Sequence, residues 1–475
     1  MFLLDRGWDA GEILLAVLCG HLRKNYDVWV AAVLVGLVAS VSLTLALGLT
    51  IAGVTSGGAA QEQYSSIGGI QIGFTAVAGT ACVAVMVRMV IGMSRVEIAQ
   101  WQLAGVSTKR IAVLVLMMVL MCSLVGGAAG AVLGWIGWGP LGGFVRSSGL
   151  PDFPGLSEPL PVGAIWGGPS CGVAASLVAG VLNLRAVTRV EAIEAVDLHP
   201  MNAGAARPNP FRLLLVVVLV GGLVTAYWGV SVQPPSSDVE ELSGVFSAYW
   251  GCALLAMMVA LAIGRPLFGL IFRAICLLLP SGDGVGIYLT KAAVLRRSVY
   301  SSAMVAPLLV GEGAVGSIYG MDQQIRDTTD ILGVVVGASI SPPRQMMLVF
   351  GGSVLVTMAT GAGVVFATNR QRWIDLSRLR AMGVGVAVLL GGMLLEFIIY
   401  FIGTSAICYL ALSVNGFMIA RAMDEGPVPG SHFVSPSLVP LAIIASGVLM
   451  SLLCALMFVG ARTLDRWRNP RKPIG

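Results

Sequence analysis

Ten stretches of this chain are long and apolar enough to cross a bilayer, and that one feature decides the class of fold. They run approximately over 28–53, 71–93, 111–137, 161–183, 211–230, 246–275, 299–319, 346–366, 384–412 and 436–461. Each is near or above the ~20 residues that a helix needs to cover the hydrocarbon core. Of the 475 residues, 57% are hydrophobic and only 11% charged, with a mean hydropathy of +0.88. A soluble protein of this length needs far more polar surface. The expected fold class is therefore an all-α polytopic membrane protein with ten transmembrane helices.

The basic residues give an orientation. With the N-terminus in the cytoplasm, the outward loops hold only Arg146, Arg326, Arg344 and Arg421 of the 29 Lys and Arg. The positive-inside rule thus predicts both termini on the cytoplasmic side. The outward connection 231–244 agrees, since its charges are Asp238, Glu240 and Glu241. No cleavable signal peptide is expected: the apolar run Ile13–Gly20 is short, lacks a basic flank before it, and leads straight into a span. Residues 1–27 read as an interfacial helix. The eight cysteines stand singly with no C-x-x-C pair, so neither disulfides nor a metal site are implied.

Between the second and third spans lies a polar stretch, SRVEIAQWQLAGVSTKR from Ser94 to Arg110. Ser94 and Glu97 have the spacing of a capping box, which predicts a helix start there. Gly105 supplies a residue that tolerates positive φ and ends that helix, and Ser107 is placed to cap the next one. A related stretch, TNRQRWIDLSRLRAMG, recurs from Thr368 to Gly383 between the eighth and ninth spans. There Thr368 and Gln371 repeat the cap spacing, and Asp375 precedes Gly383 by the eight positions that separate Glu97 from Gly105. Such helices are either ordinary amphipathic loops or docking elements for a cytoplasmic partner, and the recurrence favours docking.

The recurrence extends further. Leu22-Arg23-Lys24 before the first span is echoed by Leu295-Arg296-Arg297 before the seventh. The expected organisation is an approach helix over 1–27, a four-span repeat over 28–200, a central two-span linker over 201–280 and a second four-span repeat over 281–475. Parallel repeats of this kind give a pseudo-two-fold axis along the membrane normal, with any pathway near the repeat interface. In the third span, Gly126, Gly127, Gly130 and Gly134 have the spacing of a close helix–helix contact.

The run Glu97-Ile98-Ala99, Leu103-Ala104-Gly105-Val106-Ser107 and Arg110-Ile111 resembles the E-I-A…L-R-A-L-G-A-S…I motif of FtsX/MacB-type ABC permeases. Arg185-Ala186 with Arg189-Val190-Glu191-Ala192-Ile193 is similar to that family's segment after the fourth span, without its proline. The second half keeps Arg380-Ala381-Met382-Gly383 but has Asp375 in place of Glu and lacks the Val-Glu-Ala tail. The ten-span 4+2+4 layout resembles the bacitracin-efflux-type branch without its large extracellular domain, since only residues 320–345 are available for one. The resemblance implies a permease that works with two copies of a separate ABC ATPase subunit, which binds ATP and Mg. It implies coupling roles for Glu97, Trp101, Leu103, Gly105, Asp375, Leu379, Met382 and Gly383. Consistent with a separate ATPase, the chain contains no G-x-x-x-x-G-K-[ST] loop. The implied location is a bacterial cytoplasmic membrane, and the implied cargo an amphipathic molecule such as an antimicrobial peptide or a lipid.

Two carboxylates fall within spans, Glu312 and Glu396. An acid at that depth is costly and must pair, protonate or line a wet cavity. Each is thus either a substrate or gating contact, or a glutamic acid bonded to a neighbouring helix. Trp135, Trp138, Trp166, Trp228 and Trp250 fall near span ends and read as interfacial anchors. The three histidines form no catalytic or metal-binding group. Besides a permease, two readings stay open: a membrane scaffold that transmits ATPase-driven motion without transport, and an ion-coupled secondary transporter using the two glutamates.

Overall fold

The computed structural model describes residues 20, 26–56, 58–147, 158–188, 210–235, 243–279, 285–296, 298–333 and 343–436. Among these the regular structure is helical, with no strand: α1 (Tyr26–Ser56), α2 (Gly58–Met93), α3 (Arg95–Leu103), α4 (Thr108–Ser147), α5 (Val162–Thr188), α6 (Pro210–Ser231), α7 (Ser243–Ile263), α8 (Arg265–Leu278), α9 (Val285–Arg296), α10 (Ser298–Leu332), α11 (Pro343–Ala381) and α12 (Val386–Glu425). Six of them are long and apolar enough to cross a membrane, or seven if the bent pair α7–α8 counts as one span. The chain is a helical multi-pass membrane protein. The expected seventh and eighth spans fall in α10 and α11, which are helical but less uniformly apolar. The tenth, with most of the approach helix and the tail after the fourth span, lies outside the described residues.

Two compact units divide the chain: residues 1–201 with 359–373 and 452–475, and residues 202–358 with 374–451. In the first, α1, α2, α4 and α5 pack together. The glycines of α4 do what their spacing predicts. A Cβ on Gly126 would stand 2.8 Å from the Val33 carbonyl oxygen and 2.9 Å from the Leu37 nitrogen. One on Gly130 would stand 2.8 Å from the Leu37 carbonyl, and one on Gly134 2.9 Å from the Thr44 methyl. Backbone therefore meets backbone, close enough for Ser40 Oγ of α1 to donate to the Gly127 carbonyl at 3.2 Å. Thr44 is held from a second side by Gly168 of α5, where a Cβ would meet its backbone nitrogen at 2.7 Å. A void of about 20 Å³ among Trp29, Met86, Val119, Ser123 and Ser176 holds no more than about one water.

Arg88 of α2 is exposed and donates through Nε to Asn183 Oδ1 of α5 at 3.2 Å. Asn183 in turn donates to the carbonyls of Ala84 and Ala179 at 3.0 and 2.8 Å. Three polar groups thus tie α2 to α5. The tryptophans divide. Trp135, Trp166 and Trp228 are exposed, as anchors should be, whereas Trp138 is buried and donates to the Glu158 carbonyl at 2.9 Å.

Three connections are shorter than the sequence suggested, for the same reason. The expected loop 54–70 is mostly the first turns of α2, because Tyr64 packs on Gly53 and Gly68 closes on Ala46 and Thr50, extending the α1–α2 contact to its tip. Residues 138–147, beyond the expected end of the third span, continue α4 through Pro140, with Trp138, Gly142 and Val145 buried. Residues 320–332, expected in an outer loop, continue α10, where Ile325 joins the core and Gln324 donates to Ser431 Oγ at 3.1 Å. Packing wins over the local preference of Gly, Pro and polar residues for turns.

In the second unit α6 and α7 pack with α10 and α12. Tyr227, Val245, Tyr249, Cys252, Ile325, Ile419 and Met423 form a core there. Tyr227 donates to Asn415 Oδ1 at 2.9 Å, and Asn415 Nδ2 donates to the Tyr249 carbonyl at 3.3 Å. Two glycines of α10 allow close packing. A Cβ on Gly311 would lie 2.6 Å from Thr357 Oγ1, and one on Gly313 2.8 Å from Met257, while α10 runs unbroken. The expected sixth span, 246–275, is not one straight helix. It turns by 82° between α7 and α8 at Gly264, whose φ of 52° suits only glycine.

Candidate functional site

The polar stretch after α2 folds as the helix α3, nine residues or two and a half turns. Its start differs from the expectation. Ser94 makes no side-chain capping bond; its N–H donates to the Val90 carbonyl and its own carbonyl accepts from Ile98, both at 2.9 Å. The backbone ladder thus passes through Ser94, so α3 prolongs α2 after a one-residue irregularity. Ser94 serves as a backbone link between α2 and α3 and not as a side-chain cap.

The end is as the sequence requires. Gly105 has φ 86°, its N–H donates to the Gln102 carbonyl at 3.0 Å, and the Val106 N–H donates to the Trp101 carbonyl at 3.0 Å. That pair of bonds around a left-handed glycine is a Schellman stop. Ser107 follows, and its carbonyl accepts from Arg110 and Ile111 at 2.9 and 3.2 Å to open α4. Ile98 and Ala99 are buried, Glu97 and Trp101 are half-buried, and Leu103 is 61% exposed next to an exposed Ala104 and Gly105.

The second stretch contains the same stop without a separate helix. No break occurs at Thr368: α11 runs from Pro343 through Asp375 to Ala381, so the expected Thr368–Gln371 cap is replaced by continuous helix. Gly383 has φ 91°, and the Val384 N–H donates to the Leu379 carbonyl at 3.2 Å, the counterpart of the bond from Val106 to Trp101. Leu379 is half-buried, and Met382, immediately before the glycine, is 71% exposed. Each stop therefore presents an apolar side chain, Leu103 or Met382, next to a glycine whose neighbourhood is open: no atom lies within 4 Å of a Cβ built on either. Exposed apolar groups are ordinary on the lipid-facing spans, but here they accompany Lys109 and Arg110 or Arg378, which are exposed.

The two intramembrane carboxylates are separate. Glu312 of α10 is fully buried, and Ser405 Oγ of α12 donates to its two carboxyl oxygens at 3.1 and 3.2 Å. Glu396 of α12 is also buried and accepts from Tyr400 at 3.1 Å. Tyr400 stacks edge-on to Phe272 of α8, with ring centroids 5.3 Å apart. Glu396 lies nine residues, or about 13 Å along α12, from the serine that holds Glu312. Each acid is thus hydrogen-bonded to a neighbouring side chain, and they form no shared carboxylate pair. The partner of Glu396 was visible in the sequence as a residue one helical turn away; Ser405, 93 positions from Glu312, was not. Among the described residues, no cluster of His, Cys, Asp or Glu has metal-holding geometry.

No model of a known protein family matches this chain, and no curated protein matches it either.

Proposed function

We propose that this chain is the transmembrane permease subunit of an FtsX/MacB-type ABC transporter, docking two copies of a separate ATPase through the segments around Gly105 and Gly383. The observation that carries the reading is the recurrence of one helix stop in the two halves, each with an exposed apolar residue, Leu103 or Met382, at a positively charged connection. Glu97, Trp101, Leu379 and Asp375 flank those residues on the same helices. Continuity of the helices gives a mechanical rationale. A push on α3 passes to α2 through the two backbone bonds made by Ser94, and a push near Met382 passes directly along α11. ATP and Mg belong to the partner, whose closure on nucleotide supplies the push. The cargo is an amphipathic molecule, an antimicrobial peptide or a lipid-like compound, and the location a bacterial cytoplasmic membrane with both termini in the cytoplasm.

The test is purification of the full chain from its native membrane in mild detergent, with the co-purifying proteins identified and counted. Two ABC ATPase copies per chain, reduced by Leu103→Asp and by Met382→Asp, are expected. A chain that emerges alone and forms no complex with any ABC ATPase encoded beside it overturns the proposal. Flux driven by a proton gradient without an ATPase would instead favour a secondary transporter built on Glu312, whose buried bond to Ser405 is the one observation behind that reading.

A further inference from the structure

The helix α8 carries a partner surface that the span pattern does not explain. Gly264, with φ 52° and ψ −115°, and Pro266, which lacks an N–H, turn the chain by 82° between α7 and α8. At 14 residues, α8 is about 21 Å long and too short to cross a ~30 Å core. It has no crossing to complete. The apolar length of α6, Leu213–Ser231, is 19 residues or about 28 Å, and α7 has 21 residues, about 31 Å.

The hydrogen bonds of Asn415 give the height of the bend. They hold Tyr227 of α6 and Tyr249 of α7 at one level. Counting fifteen residues back along α6 from Tyr227 reaches Arg212, about 22 Å away; counting fifteen forward along α7 from Tyr249 reaches Gly264, also about 22 Å away. The elbow therefore sits at the level where the apolar length of α6 begins, the edge of the hydrocarbon. From there α8 runs nearly perpendicular to α7.

One side of α8 is anchored to protein. Phe268, Phe272 and Cys276, spaced four apart, are buried, and Phe272 seats on Tyr400 and Gly403 of α12. Lys291 Nζ donates to the carbonyl of Leu279, the residue just after α8, at 2.7 Å. The other side is open and apolar: Leu270 is 68% exposed, Leu277 83% and Leu278 85%. At 100° per residue, Gly269 and the exposed Arg273 share one edge, and Leu267, Ile271, Ala274 and Leu278 the opposite edge. A basic edge opposite an apolar one, on a helix at right angles to the spans, is the pattern of a helix lying in the membrane surface.

We propose that α8 is an in-plane interfacial helix whose partner is the lipid surface itself. Its Leu267–Leu278 edge sits among the outer acyl segments, and its Arg273 edge faces anionic headgroups at the membrane face nearest Arg212. The sixth crossing then ends at Ile263 instead of continuing to residue 275.

Depth-resolved spin labelling tests this on the full-length protein in vesicles of phosphatidylcholine and phosphatidylglycerol. Single nitroxides are placed at Leu270→Cys, Arg273→Cys, Ala274→Cys, Leu277→Cys and Leu278→Cys, with accessible native cysteines replaced and Val224→Cys, about 18 Å along α6 from Arg212, as the deep reference. All five α8 positions are exposed, so if one substitution disturbs folding, the others still define the pattern. The expected ratio of oxygen to water-soluble relaxant collisions oscillates with the helical period. It is highest at 274 and 278, lowest at 273 and everywhere below that at 224, with depths of roughly 5–10 Å beneath the phosphates. A steady change of depth along the helix, about 1.5 Å per residue, would show that α8 carries the chain across and would overturn the proposal. So would water-like collision ratios at all five positions, which would leave the leucine face to a soluble protein.

Discussion

Replacing Gly126 by alanine tests the backbone-to-backbone seam between α1 and α4. The new Cβ would lie 2.8, 2.9 and 3.2 Å from the Val33 carbonyl oxygen, the Leu37 nitrogen and the Gly36 carbonyl carbon. All three are backbone atoms, so no rotamer change relieves the overlap; α1 and α4 must separate by about 0.6 Å to restore ordinary contact. Overpacking of this kind costs about 1–3 kcal/mol. The same movement lengthens the bond from Ser40 to the Gly127 carbonyl, already 3.2 Å, beyond bonding range, which forfeits about 0.5–1.5 kcal/mol. Better helix propensity returns at most about 1 kcal/mol. The net loss is about 1–3 kcal/mol, or roughly 5- to 150-fold in the folded-to-unfolded ratio. Gly143→Ala is the control, since it lies on the same helix with no atom within 4 Å of its Cβ position, and it should be neutral or slightly stabilising. The assay is reversible unfolding in mixed detergent micelles of increasing SDS fraction, followed by circular dichroism. Equal stability of the two variants would refute the backbone-to-backbone packing of α1 on α4.

Ser405→Ala removes the hydroxyl that donates to both Glu312 oxygens and leaves a buried carboxyl without that partner, so the same titration should show a loss of about 1–3 kcal/mol; an unchanged midpoint would mean that Glu312 does not depend on α12. Gly105→Ala forces a side chain into φ 86° with no new contact, at a strain of about 1–2 kcal/mol, whereas asparagine tolerates that region; titration with the ATPase subunit should show several-fold weaker binding for Ala than for Asn, and equal affinities would remove the left-handed stop from the docking argument.

The parts of this protein that were legible in the sequence are those governed by local rules. Apolar runs announced the spans, because a chain in lipid has to satisfy its backbone within helices. Glycines 105 and 383 announced the two helix stops, because positive φ is strained for other residues. The spacing Gly126-x-x-x-Gly130-x-x-x-Gly134 announced a close-packed seam. Where elements begin was less legible. Ser94 and Thr368 carry the letters of helix caps yet lie in or beside continuous helix, since a cap forms only where backbone groups are left unpaired.

What only the tertiary structure decided is which groups meet. Glu312 and Ser405, Arg88 and Asn183, and Tyr227 and Asn415 are 93, 95 and 188 residues apart, and no local pattern links them. Packing also extended α2, α4 and α10 into stretches whose Gly, Pro and polar residues read as loops. The turn at Gly264 shows the division most clearly. Glycine and proline in the sequence permit a bend, but its direction, and hence the open leucine face of α8, follows from where Phe268 and Phe272 find a surface to bury against. The sequence by itself determines where the chain must be helical and where it is able to turn; burial among partners distant in sequence decides which turns are used and how sharply, because that free energy exceeds the local preferences.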